Sequence, residues 1–440
     1  MEQFNNLIEF RQAVYDKGLT RARDAQFELV DALLLSRSIQ SYPELSLSPV
    51  FRREWPSAYA AIEEGAQDRE WLEEYFAAQI PRRGIQVFSL DDTAWPHRAA
   101  KVLADRQYVR GCTRAIDGSI VIGHPYSVLA WVPEAHRSWA PPISIHRISS
   151  QHTAVEIGAE QVKQLCRLRR AEMQEALYLM VGDGKYGNHR FLGRLKEELC
   201  GALVRLRRDR VLYGEPGAYS GKGRPRVHGE RFAFKEPATW GAPVAEVAHL
   251  EHERWGSVRL RRWDNKHALQ DAATPFSVIL VETHLERDQP SDLFWLAYQP
   301  PPHQKPGDQS LQDLWLWFEW RWPVEPNIRF RKQHLHWTLP RFQTPQRCDR
   351  WTMLVNIAQW QLFLAREVVQ DSPLPWQPAQ ERLTPERTLQ SLAATFCEIG
   401  TPAQPPQTRG KSPGWPPGKP RTRPKRHPVV KKGEKTPQSA

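Results

Sequence analysis

Three acidic positions in this 440-residue chain have settings suited to holding divalent cations. Leu90-Asp91-Asp92-Thr93 ends one strand-like run, Val181-Gly182-Asp183-Gly184 ends another, and Glu325 follows a tryptophan-rich helical stretch. Carboxylates at the C-terminal ends of neighbouring strands, joined by a third from a covering helix, offer hard oxygen ligands to such ions. Two ions about 4 Å apart deprotonate a water, align it with a phosphodiester and stabilise the leaving oxygen. Each acid alone has a simpler explanation. Asp91-Asp92-Thr93 could cap a turn, Gly-Asp-Gly is a common turn, and Glu325 could sit on a solvated helix face.

The elements that must position these acids follow from hydrophobic spacing. Residues 1–80 read as helical, with Leu29, Val30, Leu33 and Leu34 at helix-like spacing and a break at Ser48-Pro49. From Ile85 the pattern becomes strand-like: Ile85–Leu90, Ser119–Ile122 and Tyr126–Val132, separated by turn residues. A helix with Val155, Ala159, Val162 and Cys166 on one face follows, then a strand at Leu177–Val181, a helix near Phe191–Leu199 and a strand near Ala202–Leu206. Three strands, helix, strand, helix, strand is the order of an RNase H-like α/β core. A Gly/Pro/basic loop at 214–229 opens a β-rich insertion with strand-like runs Val258–Trp263, Phe276–Val281 and Leu293–Tyr298. Helical patterning then resumes, with Leu311, Leu314, Trp315, Phe318 and Trp322 on one stripe and a final helix at Met353–Val369. The expected organisation is a helical, DNA-binding region at 1–80, the first part of the core at 81–213, the insertion at 214–305, the remainder of the core at 306–400 and a basic tail at 401–440.

Around Glu325 the chain runs Phe318-Glu319-Trp320-Arg321-Trp322-Pro323-Val324-Glu325 and on to Arg331-Lys332. The spacing Arg321-x3-Glu325-x6-Lys332 resembles the Tyr-Arg-Glu-Lys signature of insertion-sequence DDE transposases, within the RNase H-like transposase superfamily. The resemblance spans about 85–370. It implies that Glu325 is the third metal ligand, that Arg321 and Lys332 hold phosphates of the element's end, and that Asp183 is the second acid. The first is Asp91 or Asp92; an acid followed by any residue and then Thr favours Asp91. It further implies Mg2+ or Mn2+ as cofactor, cleavage at the element's terminal inverted repeats followed by strand transfer into target DNA, and a dimer on double-stranded DNA. Two departures stand out. Phe318 replaces the tyrosine, keeping the ring but losing a hydroxyl able to bond a phosphate. Pro323 and Pro326 flank Glu325, which is tolerable where a new helix starts near Val324, because first-turn amides are unpaired anyway.

Charge and composition fit a DNA partner. There are 61 Lys and Arg against 50 Asp and Glu, a net +11. Residues 401–440 carry +9 of it, with ten of the 37 prolines, and read as a disordered tail that attracts polyanions. Lys222-Gly223-Arg224-Pro225-Arg226 resembles the Gly-Arg-Pro core of an AT-hook, with Arg224 and Arg226 as groove contacts; a flexible basic loop is the plainer alternative. Of the tryptophans near the motif, Trp315 and Trp322 lie on the apolar stripe, whereas Trp317 and Trp320 are freer to meet bases. The five cysteines include no Cys-x-x-Cys pair, so neither a disulfide framework nor a cysteine zinc site is expected. The fifteen histidines are dispersed and receive no role. With no apolar run of bilayer length and no signal-peptide start, the expectation is a cytoplasmic, nucleoid-associated protein of a prokaryotic host with no membrane partner. Two rivals share these features: a catalytically inactive DNA-binding remnant, and an RNase H-like nuclease that cuts without joining.

Overall fold

The computed structural model describes residues 2–110, 119–135, 137–219, 221, 223–284, 292–407, 414, 416–420 and 423–431. Helices α1 (Glu2–Ala13), α2 (Arg23–Leu35), α3 (Trp55–Glu63) and α4 (Arg69–Ala78) precede a mixed sheet of twelve strands among the described residues. The sheet starts with β1 (Gly84–Pro96), β2 (Gln107–Arg110), β3 (Ile120–Val132) and β4 (Pro142–Arg147). Helix α5 (Ala154–Leu168) leads to β5 (Ala176–Gly182), and α6 (His189–Leu195) leads to β6 (Gly201–Leu206). Strand β3 pairs antiparallel with β1, and β4 antiparallel with β3. On the other side of β1, β5 is parallel to it, and β6 is parallel to β5.

Local sequence explains these elements. Thr153 caps α5 and Glu156 returns the bond to the Thr153 amide, closing a capping box just before the apolar face begins. β5 is almost wholly apolar because it is covered on both faces, as parallel strands are. One expectation is corrected here. The runs 119–122 and 126–132 are one strand, β3, and the third strand is β4. Gly123-His124-Pro125 has the composition of a turn, yet Gly123 lies so close to β1 that a Cβ there would stand 2.1 Å from the Trp95 carbonyl oxygen. Pro125 needs no ladder donor on its far side, because β2 pairs only with 120–123 and β4 only from Tyr126 onward.

The segment after β6 adds β7 (Val211–Tyr213), β8 (Arg231–Ala233), β9 (Ala245–His252), β10 (Gly256–Ala268), β11 (Asp271–His284) and β12 (Asp292–Gln299). These strands join the same sheet, since β12 pairs antiparallel with β6 from Trp295↔Leu206 to Gln299↔Ala202. Helix α7 (Leu311–Glu319) lies on the face formed by Leu179, Val181, Leu203, Leu260, Ile279 and Leu296. Its Leu311, Leu314 and Trp315 are buried there, each stabilising the contact by about 1.5–3 kcal/mol. Helices α8 (Val324–Gln333), α9 (Pro345–Ala365) and α10 (Pro385–Ile399) follow. α9 runs through the middle of the helical layer, and Gln361 on it accepts from Arg11, which also ion-pairs with buried Asp31 of α2 at 2.7 Å. No helix among the described residues is long and apolar enough to cross a membrane.

The chain after Gly400 is partly seated on the fold, where disorder was expected. Arg11 Nη2 donates to the Gly400 carbonyl at 2.9 Å, Arg52 Nη2 to Ala403 at 2.7 Å, and the Gln404 amide donates to Asp24 Oδ1 at 2.8 Å. Farther on, the His427 amide donates to the Lys101 carbonyl at 2.9 Å and the Val430 amide to Arg106 at 2.7 Å. The sequence signal was misleading because these bonds use the tail's backbone, which any residue supplies. With each bond contributing about 0.5–1.5 kcal/mol, a chain ending at Gly400 should denature at lower urea than one ending at Gln407, both remaining folded. Equal midpoints would show the seat to be energetically idle.

Candidate active site

The strand expected to end at Leu90 runs on to Pro96, so Asp91 and Asp92 lie within β1, and strand alternation puts them on opposite sides. Leu90 packs on α5, where a Cβ on Gly158 would meet Leu90 Cδ2 at 2.5 Å, so Asp92 shares the α5 side. Asp91 shares its side with Thr93, whose hydroxyl accepts from Lys332 Nζ of α8 at 2.6 Å. In the parallel ladder Leu90 stands opposite Gly182, so Asp91 and Asp183 follow one step later, Asp91 within β1 and Asp183 just past the end of β5. Asp183 turns the chain: its Oδ1 accepts the Lys185 amide at 3.0 Å, and its carbonyl accepts the Tyr186 amide at 3.1 Å. Lys185 then folds its ammonium back onto the Asp92 carboxylate.

The electrostatics mark Asp91. Burial, then the negative charges of Asp92 and Asp183, push its carboxyl up from the usual range to about 7, while the Arg321 guanidinium pulls the other way. The Tyr186 hydroxyl, buried beneath these three carboxylates, is raised as well. A carboxyl made harder to ionise by burial and by two neighbouring carboxylates is one whose charge a bound cation would stabilise. The oxygens are hard donors and fit a divalent ion of the Mg2+ class.

The third acid arrives on α8. Helix α7 ends at Glu319, a short turn carries Arg321, and α8 begins at Val324 with Pro323 as its cap, so Pro323 and Pro326 fall where no intrahelical amide is lost. Glu325 sits in the first turn of α8, its side chain 64% exposed, 3.4 Å from Arg321 Nη2. The Arg321 charge therefore acts on both Glu325 and Asp91. The far end of α8 is anchored by Arg331, fully buried and bonded to Gln359 of α9 at 2.9 Å; Gln359 also donates to Asn327 Oδ1 at 2.6 Å. Burial lowers the Arg331 guanidinium to about 9, whereas its neighbour Lys332 points to β1.

Asp91, Asp92, Asp183, Arg321, Glu325 and Lys332 are thus drawn to one region. The other sequence candidates stand elsewhere. Phe318 packs in the core, its ring centroid 6.4 Å from those of both Trp315 and Phe294. Trp320 and Trp322 exchange the roles expected of them: Trp320 is half-buried against both cores, and Trp322 is 52% exposed. The reason is the end of α7 at Glu319, after which a helical stripe no longer predicts facing. Arg224 and Arg226 are exposed in the loop between β7 and β8 and make no hydrogen bond or ion pair among the described residues; Lys222 lies outside them. Sequence reasoning missed the site roles of Lys185 and Tyr186, although both directly follow Gly-Asp-Gly. It also missed a cleft of about 290 Å3 beside the Asp183 loop, lined by Asn188, Arg207, Arg210 and Tyr213, whose signal was the basic run Arg205–Arg210.

No curated protein matches the chain. A family model described as DDE superfamily endonuclease matches residues 14–266, which include Asp91, Asp92 and Asp183 and stop before Glu325. A match over more than half of the chain identifies it as belonging to the DDE superfamily endonucleases.

Proposed function

We propose that the protein is a DNA transposase with an RNase H-like core, using Asp91, Asp183 and Glu325 as ligands of divalent ions, Mg2+ in the cell, at the ends of its own mobile element. The observation that carries this is the place of Asp91 and Asp183, each one residue beyond the Leu90–Gly182 pair where the parallel β1–β5 ladder ends, with the Glu325 helix tied to β1 through Lys332 and Thr93. The strand order β4-β3-β1-β5-β6, with α5 and α6 as crossovers, supports the RNase H-like assignment.

When bound, the divalent ions supply an activated water and stabilise the oxygen that leaves the phosphodiester. The chain's own residues place the DNA. Arg321 holds Glu325 through an exposed pair of modest strength. A DNA phosphate competes for that guanidinium, and once Arg321 turns to it Glu325 is released toward the two aspartates. Lys332, about two helical turns beyond Glu325 on α8, contacts a second phosphate. Asp92 remains paired with Lys185 and keeps the β5–α6 turn in place.

Arg321→Ala and Lys332→Ala should each weaken binding to element-end DNA and reduce the slope of log K against log salt by about one, as expected for one phosphate contact apiece. Fluorescence anisotropy over a salt series measures this, and an unchanged slope removes the residue from the phosphate contacts. The function itself is tested with DNA carrying the inverted repeats that flank the gene, supplied both uncut and pre-cleaved to expose a 3′-hydroxyl. Joining to a plasmid with Mg2+ supports a dimeric transposase. Cleavage without joining favours the nuclease, and binding without either favours the remnant.

A further inference from the structure

Among the described residues, His97, His124 and Cys348 bring one ligand atom each to within 4.8 Å of one another in the interior. They come from three elements. His97 directly follows β1, His124 lies in β3, and Cys348 stands in the first turns of α9. Their exposures are 5%, 0% and 0%. His97 Nε2 is 4.0 Å from Cys348 Sγ, and the two imidazole rings meet edge to face with centroids 5.1 Å apart.

His124 is the informative member. Its Nε2 lies 2.9 Å from the Ala104 carbonyl oxygen, a contact that requires the ring proton on that nitrogen. Nδ1 is then a bare lone pair, and it is buried with no hydrogen-bond partner. A weak contact between His97 and the Cys348 thiol would leave that lone pair unsatisfied. An imidazole that donates one N–H to a backbone carbonyl and turns its other nitrogen inward is how metal-binding histidines are held.

We propose that His97, His124 and Cys348 form a structural site for one zinc-type ion, separate from the carboxylate cluster, which clips the end of β1 to β3 and to α9. Imidazole and thiolate donors suit zinc, whereas Mg2+ keeps to oxygen. On binding, the Cys348 S–H bond breaks as the metal–sulfur bond forms, and the proton goes to solvent. Two imidazoles and one thiolate leave the fourth tetrahedral position to a water. Bonds of roughly 2.0–2.3 Å require the ligand atoms to draw together from their present spacing, a movement that side-chain rotation supplies. Near the site the carboxylates of Asp349 and Asp105, which Arg147 links at 3.3 and 2.9 Å, are offset by Arg147 itself and by Arg106 beside His97, so the thiolate is the ligand that lowers the ion's charge. The sequence conceals this site, because its ligands are 27 and 224 residues apart and form no spaced motif.

The test uses the full-length protein, stripped with chelator and titrated with Co2+ alone. One equivalent should produce tetrahedral cobalt absorption with a thiolate-to-cobalt charge-transfer band, and Zn2+ but not excess Mg2+ should abolish it. Cys348→Ser should lose the band and His124→Gln should bind Co2+ at least tenfold more weakly. Asp183→Asn should keep the band, showing that the reporter is not the carboxylate site. Zinc should raise the melting midpoint of the wild-type chain and leave that of Cys348→Ser unmoved. Absence of the band in wild type overturns the proposal, whatever the variants do. Its persistence in Cys348→Ser overturns the assignment by handing the metal to another cysteine.

Discussion

Asp183→Asn and Glu325→Gln should each reduce Mg2+-dependent nicking of element-end DNA on the order of 10²–10³-fold or more, while DNA affinity changes by only a few-fold. Both substitutions keep shape and remove charge. Neither should disturb the fold, since the Glu325 side chain is 64% exposed and Asn retains the acceptor that Asp183 offers to the Lys185 amide. A large loss of activity with unchanged melting would thus report on ligand charge. End-labelled DNA on denaturing gels measures nicking, and a mobility shift measures binding. Substantial nicking by either variant would remove that residue from the ligand set.

Asp91→Asn should do two opposite things. It should abolish nicking and, in metal-free protein at pH 8, make the chain more stable. The fold raises the Asp91 carboxyl to about 7 from 3.8, so the folded chain binds this proton more tightly than the unfolded one. Stability therefore falls as pH rises from about 4 to 7, and the cost is fully present above 7. The shift corresponds to a ceiling of ~4 kcal/mol. Asp91 keeps some solvent contact, which screens the repulsion, so about 1–3 kcal/mol is the gain expected from Asn. Urea denaturation with chelator present, at pH 5 and pH 8, measures the gain, which should be largest at pH 8. Asp92→Asn breaks a pair with Lys185 on the other side of the strand and should retain nicking within about tenfold. The reverse ranking would make Asp92 the ligand. The same proton predicts that, at limiting Mg2+, nicking rises with pH through about 7.

The places of the candidate acids in the fold were legible because their surroundings were. Alternating apolar residues set Asp91 and Asp92 on the β1 strand, though not its extension to Pro96, a continuous apolar run set Asp183 just after β5, and the spacing from Arg321 to Lys332 survives intact on a turn and a helix. The choice between Asp91 and Asp92 was not legible, since it depends on which side of β1 faces α8. Sequence placed Trp322 in the core by extrapolating a 3.6-residue period across the end of α7. It missed β4, whose Ile143-Ser144-Ile145-His146 does alternate but over only a few residues beside Pro141-Pro142, and it split β3 at a Gly-His-Pro that reads as a turn in isolation. The seating of the tail and the His97–His124–Cys348 cluster are both long-range contacts, for which composition and spacing leave no trace.

The most direct test of the central claim is anomalous diffraction from Mn2+ soaked into crystals of the protein bound to its element-end DNA. The account predicts Mn2+ between the Asp91 and Asp183 carboxylates, with Glu325 turned to it and Arg321 moved from Glu325 to a phosphate. Mn2+ absent from this position, or bound there by Asp92 while Glu325 stays on Arg321, would contradict it.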